Sequence, residues 1–231
     1  MLLLSMDTAT PAVTVALHDG GRVLAGSVRV DARRHGELLL PGIHRVLAEA
    51  GRSMPEVTAL IVGTGPGPYT GLRVGLATAA AIGSALGIPV HGVCTTDAIA
   101  YATGREEPFV VATDARRREV YWARYDNARA RVEGPAVDRP ADLPAHVTDL
   151  PATGAGTVLY PDAFPHRLAD GPEHADAGAM AALAAERIAA GLPLDPPRPL
   201  YLRRPDARVP AGYKVVTPTA PAPSTGAGDR R

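Results

Sequence analysis

The sequence is poor in lysine and in cysteine. Lys214 is the one lysine among the 24 basic residues, and it lies in a proline-rich segment. P-loop enzymes and Schiff-base enzymes both need a suitably placed lysine, so these mechanisms are excluded. The single cysteine, Cys94, cannot form an internal disulfide or a thiolate metal cage. This cysteine usage predicts a reducing, cytoplasmic location.

The chain also lacks an excess of charge of either sign. Its 24 basic residues balance 24 acidic ones, so the formal net charge is zero. A protein that grips nucleic acid through overall charge alone is therefore excluded, but a subunit of an RNA-modifying assembly is not. No targeting segment is expected. The longest uncharged run, residues 74–96, is mostly Ala, Gly, Ser and Thr, which predicts a buried helix and a strand rather than a membrane span.

Hydrophobic patterning predicts an α/β organisation. Three strands (2–6, 12–17 and 22–30) precede a helix over 37–50, and a strand–helix–strand–helix series follows over 58–62, 71–86, 89–93 and 95–101. The helix over 37–50 carries one apolar face formed by Leu39, Ile43, Val46, Leu47 and Ala50. Leu38 and Leu40 lie off that face. The helix is therefore predicted to be apolar on two sides.

The second half of the chain resembles a restart of the first. Residues 2–6 lead to Asp7, and residues 109–113 lead to Asp114; a valine follows each aspartate six positions later. A strand over 157–160 and a helix over 176–190 are predicted further on. The repeat favours two lobes, residues 1–104 and 105–204. Residues 205–231 have no periodic apolar face and are predicted to be a flexible, dispensable tail.

A glycine-rich run, residues 63–75, lies between a predicted strand and a predicted helix. Its glycines would let the backbone approach either a phosphate or another backbone segment closely. It matches neither the P-loop nor the dinucleotide-binding pattern. Asp7, followed by Thr8 and Thr10, could face phosphate and hydrated Mg²⁺, or could cap its own turn. For the glycine-rich run, phosphate contact and close backbone packing both stay open. For Asp7, a phosphate-facing carboxylate and a self-capped turn both stay open.

Two further patterns indicate contacts with a partner. The helix predicted over 71–86 carries the small residues Gly75, Ala79 and Gly83 at four-residue spacing. It could therefore approach another helix closely. Together with the two-sided helix, they predict a surface of two helices for a partner, unless both pack within their own lobe. The run Arg116-Arg117-Arg118 could contact tRNA phosphate, a partner's acids or only solvent. Paired histidines and Cys/His clusters are absent from the sequence, so no metal site is expected.

Five ordered motifs resemble the TsaB family, over residues 2–204. They are Met6-Asp7-Thr8-Ala9-Thr10, the His35–Pro41 helix start, the Gly63–Gly75 run, the Asp114-Ala115-Arg116 element with Val120-Tyr121, and Pro199-Leu200-Tyr201-Leu202-Arg203. The resemblance implies a duplicated actin-like ATPase fold, that of acetate and sugar kinases, Hsp70 and actin, with two lobes of mixed sheets flanked by helices. The family has also been called glycoprotease or M22 peptidase.

The resemblance further implies a non-catalytic dimerization subunit. TsaB-like proteins bind the related TsaD threonylcarbamoyl transferase and, with TsaE, support N6-threonylcarbamoyladenosine formation beside the tRNA anticodon. This chain is expected to need no cofactor, with ATP or ADP at the interface of the complex and a homodimer without TsaD as open alternatives. The expected nucleotide-contact residues are Asp7, Thr8, Thr10, Gly65, Gly67 and Asp114. The expected partner-contact residues are His35, Leu38, Leu40, Pro41, Leu72, Arg73, Gly75, Leu76 and Ala79.

One departure from TsaD favours a scaffold over an enzyme. TsaD-type enzymes place a metal-binding His-x₃-His pair where this chain has Thr95 and Ile99. Isoleucine cannot ligate a metal, so this copy is expected to have neither metal nor catalytic residues. The alternative is an ATP-dependent phosphotransferase or ATPase that uses Asp7 and Asp114. A peptidase is a third alternative, but no nucleophile–base set is visible.

Overall fold

The computed structural model describes residues 1–203; the predicted tail, residues 205–231, lies outside them. Two sheets and six α-helices make up this part of the chain. The strands are β1 Leu3–Asp7, β2 Ala12–His18, β3 Val23–Val30, β4 Ala59–Gly63, β5 Val90–Val93, β6 Phe109–Asp114, β7 Val120–Asn127, β8 Ala130–Asp138 and β9 Ala152–Thr153. The helices are α1 His35–Glu49, α2 Tyr69–Leu86, α3 Thr95–Thr103, α4 Ala145–Thr148, α5 Ala155–Leu159 and α6 Ala177–Ala189.

The first sheet has the order β3-β2-β1-β4-β5. The β1–β2–β3 meander is antiparallel, whereas β1, β4 and β5 are parallel. Side chains alternate across β1, because successive residues of a strand point to opposite faces. Leu4 and Met6 join a core beneath α1 and α2, and Leu3 joins a second core on the opposite face. Both faces of this sheet are therefore covered.

The second sheet repeats the start of the first. Its order is β8-β7-β6-β9, again an antiparallel meander followed by a parallel strand. Asp7 pairs with Thr14, and Asp114 pairs with Val120, so both aspartates end the first strand of their meander. The predicted fold class, two mixed sheets flanked by helices, is confirmed.

The two halves of the chain share one hydrophobic core. Helix α6, from the second half, packs on β1 and β2 and against α3. Its Met180 and Ala184 are fully buried with Leu3 of the first sheet and Phe109 of the second. Asp176 caps α6 by accepting from the backbone N–H of Ala179 at 2.7 Å. The last predicted helix thus packs on the first sheet and against α3, and α3 in turn contacts β6 and β7 of the second sheet.

The strand predicted over 157–160 is wrong. Residues Ala155–Leu159 form α5, and the parallel partner of β6 is the two-residue strand Ala152–Thr153. A Cβ on Gly156 would lie 2.9 Å from the carbonyl carbon of Ala112, so α5 rests directly on β6. A short apolar run does not distinguish strand from helix. No helix within residues 1–203 is long and apolar enough to cross a membrane.

Candidate functional site

Asp7 lies at the end of β1 with no access to solvent. Its carboxylate accepts hydrogen bonds from the backbone N–H of Ala9 at 2.8 Å and from the hydroxyl of Thr95 at 2.7 Å. Burial raises the pKa of Asp7, and the hydrogen bonds from Thr95 and Ala9 oppose that rise. Of the two alternatives for this residue, the self-capped turn is the one found.

The glycine-rich turn closes over Asp7. A Cβ on Gly63 would overlap the Asp7 carboxylate, and one on Gly67 would overlap the carbonyl of Ala9. The N–H of Gly65, whose φ is +91°, donates to the Thr95 hydroxyl at 3.0 Å. The glycines therefore bring two backbone segments together, and they leave no open phosphate cradle at Asp7.

Thr8 ties the turn after β1 to the start of α2. Its hydroxyl donates to the carbonyl of Gly71 at 2.7 Å and accepts from the N–H of Gly75 at 3.0 Å. The Thr10 hydroxyl accepts from the N–H of Ala12 at 3.3 Å. Both threonines are buried and hold backbone groups. Neither hydroxyl is left without a partner.

Asp114 occupies the equivalent place at the end of β6 in the second sheet. It accepts from the N–H of Arg116 at 2.7 Å and pairs with the Arg116 guanidinium at 3.4 Å. This repeats the turn of Asp7 and Ala9, but the Asp114 side chain is partly exposed. The two aspartates therefore hold equivalent turns in the two meanders.

A cleft of about 230 Å³ lies beside this turn. Thr8 and Thr10 are the two predicted nucleotide residues that line it; Asp7, Gly65, Gly67 and Asp114 do not. Its other polar lining includes Arg33, His35, Thr70 and Arg116. The His35 ring donates through Nε2 to the Thr10 carbonyl at 2.8 Å. The cleft is smaller than typical small-molecule pockets of about 300–1,000 Å³.

The two-sided character of α1 is confirmed. Leu39, Ile43, Val46 and Leu47 are buried against the first sheet. Leu40 is 51% exposed on the outer side, and the neighbouring Pro41 is exposed as well. His35 and Leu38 are half-buried, and Leu38 packs on the core beneath α1. The outward apolar surface of α1 is therefore formed by Leu40 and Pro41.

Three α2 residues that are predicted to contact a partner are not available for such a contact. Leu72, Gly75 and Ala79 are buried within their own lobe. A Cβ on Gly75 would lie 2.6 Å from the Thr8 hydroxyl, so the small-residue stripe lets α2 approach the sheet. For these three residues the predicted partner contact is wrong, because each packs inside this chain. Arg73 is exposed and Leu76 is half-buried.

The two residues that stand where TsaD-type enzymes have metal-binding histidines have structural roles in this chain. Thr95 begins α3 and binds Asp7, whereas Ile99 is fully buried in the core. Residues 1–203 contain no cluster of three His, Cys, Asp or Glu side chains able to hold a metal. Burial raises the pKa of the Cys94 thiol to about 11, so it is not an activated nucleophile.

The segment after α6, residues 190–203, runs back to the glycine-rich turn, and we call it the strap. Sequence reasoning did not predict this contact. The N–H of Gly92 donates to the carbonyl of Asp195 at 2.7 Å, and the N–H of Leu200 donates to the carbonyl of Thr64 at 2.8 Å. Tyr201 then stacks on Tyr69 at the start of α2. The motif around Tyr201 was visible in the sequence, but its contact partner lies more than a hundred residues away.

Comparison with known proteins gives consistent matches. The profile of TsaD, tRNA N6-adenosine threonylcarbamoyltransferase, matches residues 28–159. The tRNA threonylcarbamoyladenosine biosynthesis protein TsaB of Escherichia coli is 32% identical over 173 residues, covering 70% of this chain and 74% of that protein. A Mycobacterium tuberculosis protein is 46% identical over 218 residues, covering 89% and 93%.

Solved structures agree with these matches. YeaZ from Pseudomonas aeruginosa superposes with a TM-score of 0.74 at 30% identity, covering 87% of this chain and 99% of that one. A second Pseudomonas aeruginosa structure, described as similar to the peptidase YeaZ, gives a TM-score of 0.75 at 31% identity with the same coverage. The relatives, the family profile and the ordered motifs coincide. The chain belongs to the TsaB family.

Proposed function

We propose that this chain is a non-catalytic scaffold subunit of tRNA threonylcarbamoyladenosine biosynthesis. In this role it binds the TsaD threonylcarbamoyl transferase and supports N6-threonylcarbamoyladenosine modification of tRNA beside the anticodon. The names of the matched relatives support the pathway. The TsaD profile and a matched transferase support relatedness to the proposed partner.

The outer side of α1 carries this proposal. Leu40 is 51% exposed beside the exposed Pro41, although the same helix already buries a complete inner face. We base the contact surface on this pair, since contiguous exposed apolar surface marks sites of protein–protein contact. The remaining candidate contact residues are His35, Leu38, Leu40, Pro41, Arg73 and Leu76. We propose that they face TsaD, with TsaE and tRNA joining through the complex.

Chemistry by the isolated chain lacks support. Asp7 is buried and hydrogen-bonded to Ala9 and Thr95, and the adjacent cleft of about 230 Å³ is smaller than typical small-molecule pockets of about 300–1,000 Å³. Nothing at Asp7 or Asp114 favours the phosphotransferase alternative. We therefore propose that this chain needs no cofactor of its own and that ATP or ADP binds only where a partner completes the site.

Copurification tests the proposal. The tagged full chain, expressed in its native host, should retain TsaD, identified by mass spectrometry, while Leu40→Asp should retain much less. The purified chain alone should not turn over ATP above a Thr95→Val control, a variant that removes one hydrogen bond to Asp7. Normal TsaD retention by the folded Leu40 variant would contradict the contact surface. Turnover by the isolated chain that Thr95→Val abolishes would favour an enzyme.

A further inference from the structure

The outer edge of β3 is an unpaired edge of the first sheet. β3 comes first in the order β3-β2-β1-β4-β5, and within residues 1–203 the one strand that pairs with it is β2. The backbone N–H and C=O groups on its other side therefore point away from the sheet. A long unpaired edge is a template for another strand, so native proteins commonly shorten it, cover it or interrupt it.

The three other edges of the two sheets are protected in these ways. β5 is covered by the strap, where Gly92 pairs with Asp195. β9 is two residues long and is bridged by Arg167. β8 contains Pro135, which has no N–H to donate, and its pairing with β7 is irregular. β3 spans eight residues, contains no proline and, in the described part of the chain, is bridged by no other segment.

Three exposed valines lie on one face of β3. Val30, Val28 and Val23 pair with residues 12, 14 and 18 of β2, which share a face because side chains alternate along a strand. The exposed fractions of these valines are 64%, 48% and 45%. The open edge therefore carries an apolar strip, and contiguous exposed apolar surface marks sites of protein–protein contact.

A β-bulge lies near the start of β3. Leu17 pairs with Ala25 and His18 pairs with Val23, so Leu24 is an extra residue without a partner of its own. In agreement with this, the consecutive residues Leu24 and Ala25 both pack on the core beneath α1. The bulge shifts the residues before it by one position relative to a strand that pairs along β3.

Opposite charges flank β3. Arg22 precedes the strand and Asp31 follows it, and both continue the ladder with β2. The N–H of Asp19 donates to the carbonyl of Arg22 at 3.1 Å, and the N–H of Asp31 donates to the carbonyl of Pro11 at 2.9 Å. Residues 11 and 19 lie on the face of β2 opposite to residues 12, 14 and 18, so both charges lie on the face opposite to the valines. The Arg22 side chain is 81% exposed.

We propose that β3 pairs antiparallel with β3 of a second copy of this chain, which joins the two first sheets into one. A twofold axis at Ser27, perpendicular to the sheet, places Val23 of one copy against Val30 of the other. The bulge then brings Arg22 of one copy opposite Asp31 of the other, and the axis repeats each contact. Backbone hydrogen bonds along the joined edges supply the rest of the affinity.

This self-complementarity identifies a second copy as the occupant. An unrelated strand could use the backbone edge and the valines, but an antiparallel copy also matches both flanking charges. The contact is separate from the surface proposed for TsaD, because no residue assigned to that surface lies on β3. The inference therefore does not rest on the proposed function.

Sedimentation equilibrium of the full chain tests the inference. The wild type should show a reversible, concentration-dependent dimer. Val28→Lys should weaken it by about tenfold or more, because it removes apolar contact and places a cation from each copy near the axis. Val132→Lys is the matched control, since Val132 is a 43% exposed valine on β8, an edge strand of the second sheet. It should leave the dimer unchanged.

Charge variants give an independent readout of the register. Arg22→Asp places an acid opposite Asp31 at both contacts, and Asp31→Arg places a base opposite Arg22 at both contacts. Each variant alone should dimerise about tenfold more weakly than the wild type. An equimolar mixture restores opposite charges at both contacts, so it should form mixed dimers. Native mass spectrometry detects them when one variant carries a tag.

Three results would overturn the inference: a chain that stays monomeric at every concentration, equal effects of Val28→Lys and Val132→Lys, or charge variants that form no mixed dimer. Melting temperatures check that each variant is folded, and the charge variants still decide the test if Val28→Lys unfolds.

Retention of TsaD is measured separately. The folded Val28→Lys variant should retain TsaD as the wild type does. Loss of TsaD by this variant would assign β3 to TsaD and overturn the inference, while the scaffold function would stand. If the wild type dimerises as expected but retains no TsaD, the scaffold function falls instead.

Discussion

At Asp7, a carboxylate that ends a strand is sealed inside the protein. Burial raises the pKa of Asp7 above its ordinary value, with Thr95 and Ala9 opposing that rise. A raised folded-state pKa means that the unfolded chain releases this proton more readily than the folded one does. The contribution of Asp7 to stability is therefore fully present below about pH 4, its unfolded pKa, and is lost as pH rises through the folded pKa.

Asp7→Asn should remove this pH dependence. The amide keeps an oxygen for the N–H of Ala9, and its NH₂ can donate to the Thr95 hydroxyl. Denaturant unfolding from pH 4 to 7 should show the wild type losing stability relative to the variant as pH rises. Asp114→Asn is the control, since Asp114 makes the same turn with a partly exposed side chain. A constant difference between wild type and Asp7→Asn across this range would contradict the prediction.

Gly63 and Gly36 provide a matched pair of glycine substitutions. A Cβ on Gly63 would overlap the Asp7 carboxylate and lie 3.1 Å from the Thr95 hydroxyl, whereas one on Gly36 would meet nothing within 4 Å. Gly63→Ala should lower the free energy of unfolding by about 3 kcal/mol, because neither group can move freely. Gly36→Ala, in helix α1, should raise it by about 0.5–1 kcal/mol. Similar effects at both positions would contradict the close packing.

At the scale of elements, substitutions on the two faces of α1 should have different effects: on folding at the inner face and on partner binding at the outer side. Leu47 lies on the inner face at 6% exposure, and Leu40 lies on the outer side at 51%. Leu40→Asp should fold normally, because its carboxylate meets water in the isolated chain. In the complex, the same carboxylate would be buried without a partner, so TsaD affinity should fall by more than about tenfold.

Leu47→Asp is the opposite case and should unfold the chain. Circular dichroism monitors folding, and titration with purified TsaD measures affinity. Failure of Leu40→Asp to fold would mean that the two faces of α1 are assigned wrongly. Normal affinity of the folded variant would place the contact elsewhere.

Local patterns made most elements predictable. The β1–β2–β3 meander follows from short apolar runs and the Asp19-Gly20-Gly21 turn, and α1 follows from a complete 3.6-residue stripe. By contrast, α5 was predicted as a strand, because five residues carry too little periodicity. The small residues of α2 were ambiguous for another reason: close approach to a sheet and close approach to a second helix need the same spacing.

The site was predictable where adjacent residues form it and not where distant ones do. The turn of Asp7 was one of two alternatives, because a self-capping aspartate and a phosphate-facing one have the same sequence. The hydrogen bond from Thr95 to Asp7 joins residues 88 positions apart. The stack of Tyr201 on Tyr69 similarly depends on where the strap crosses α2. Such contacts follow from the assembled fold and not from local spacing.

At the scale of the whole molecule, a polar network fastens one half of the chain to the other. Arg131 on β8 lies 3.4 Å from the Asp97 carboxylate on α3 and donates to the Cys94 sulfur at 3.1 Å. Tyr125 donates to Asp97 at 2.8 Å. Burial raises the pKa of Asp97, and the positive charge of Arg131 opposes that rise. From this network and the shared core around α6, we expect both halves to fold together.

Arg131→Ala should therefore destabilise the whole chain in a single transition. It leaves the poorly solvated Asp97 carboxylate without its ion-pair partner, which should cost about 2–4 kcal/mol at neutral pH. Adding Asp97→Asn should recover part of this loss, because the uncompensated charge is then removed. The matched control is Arg129→Ala, whose partner Glu186 also lies across the junction but is about half exposed, so its loss should be below about 1 kcal/mol. Calorimetry distinguishes the outcomes: two separate transitions in Arg131→Ala, or equal losses from both arginine variants, would show that the halves fold independently of this network.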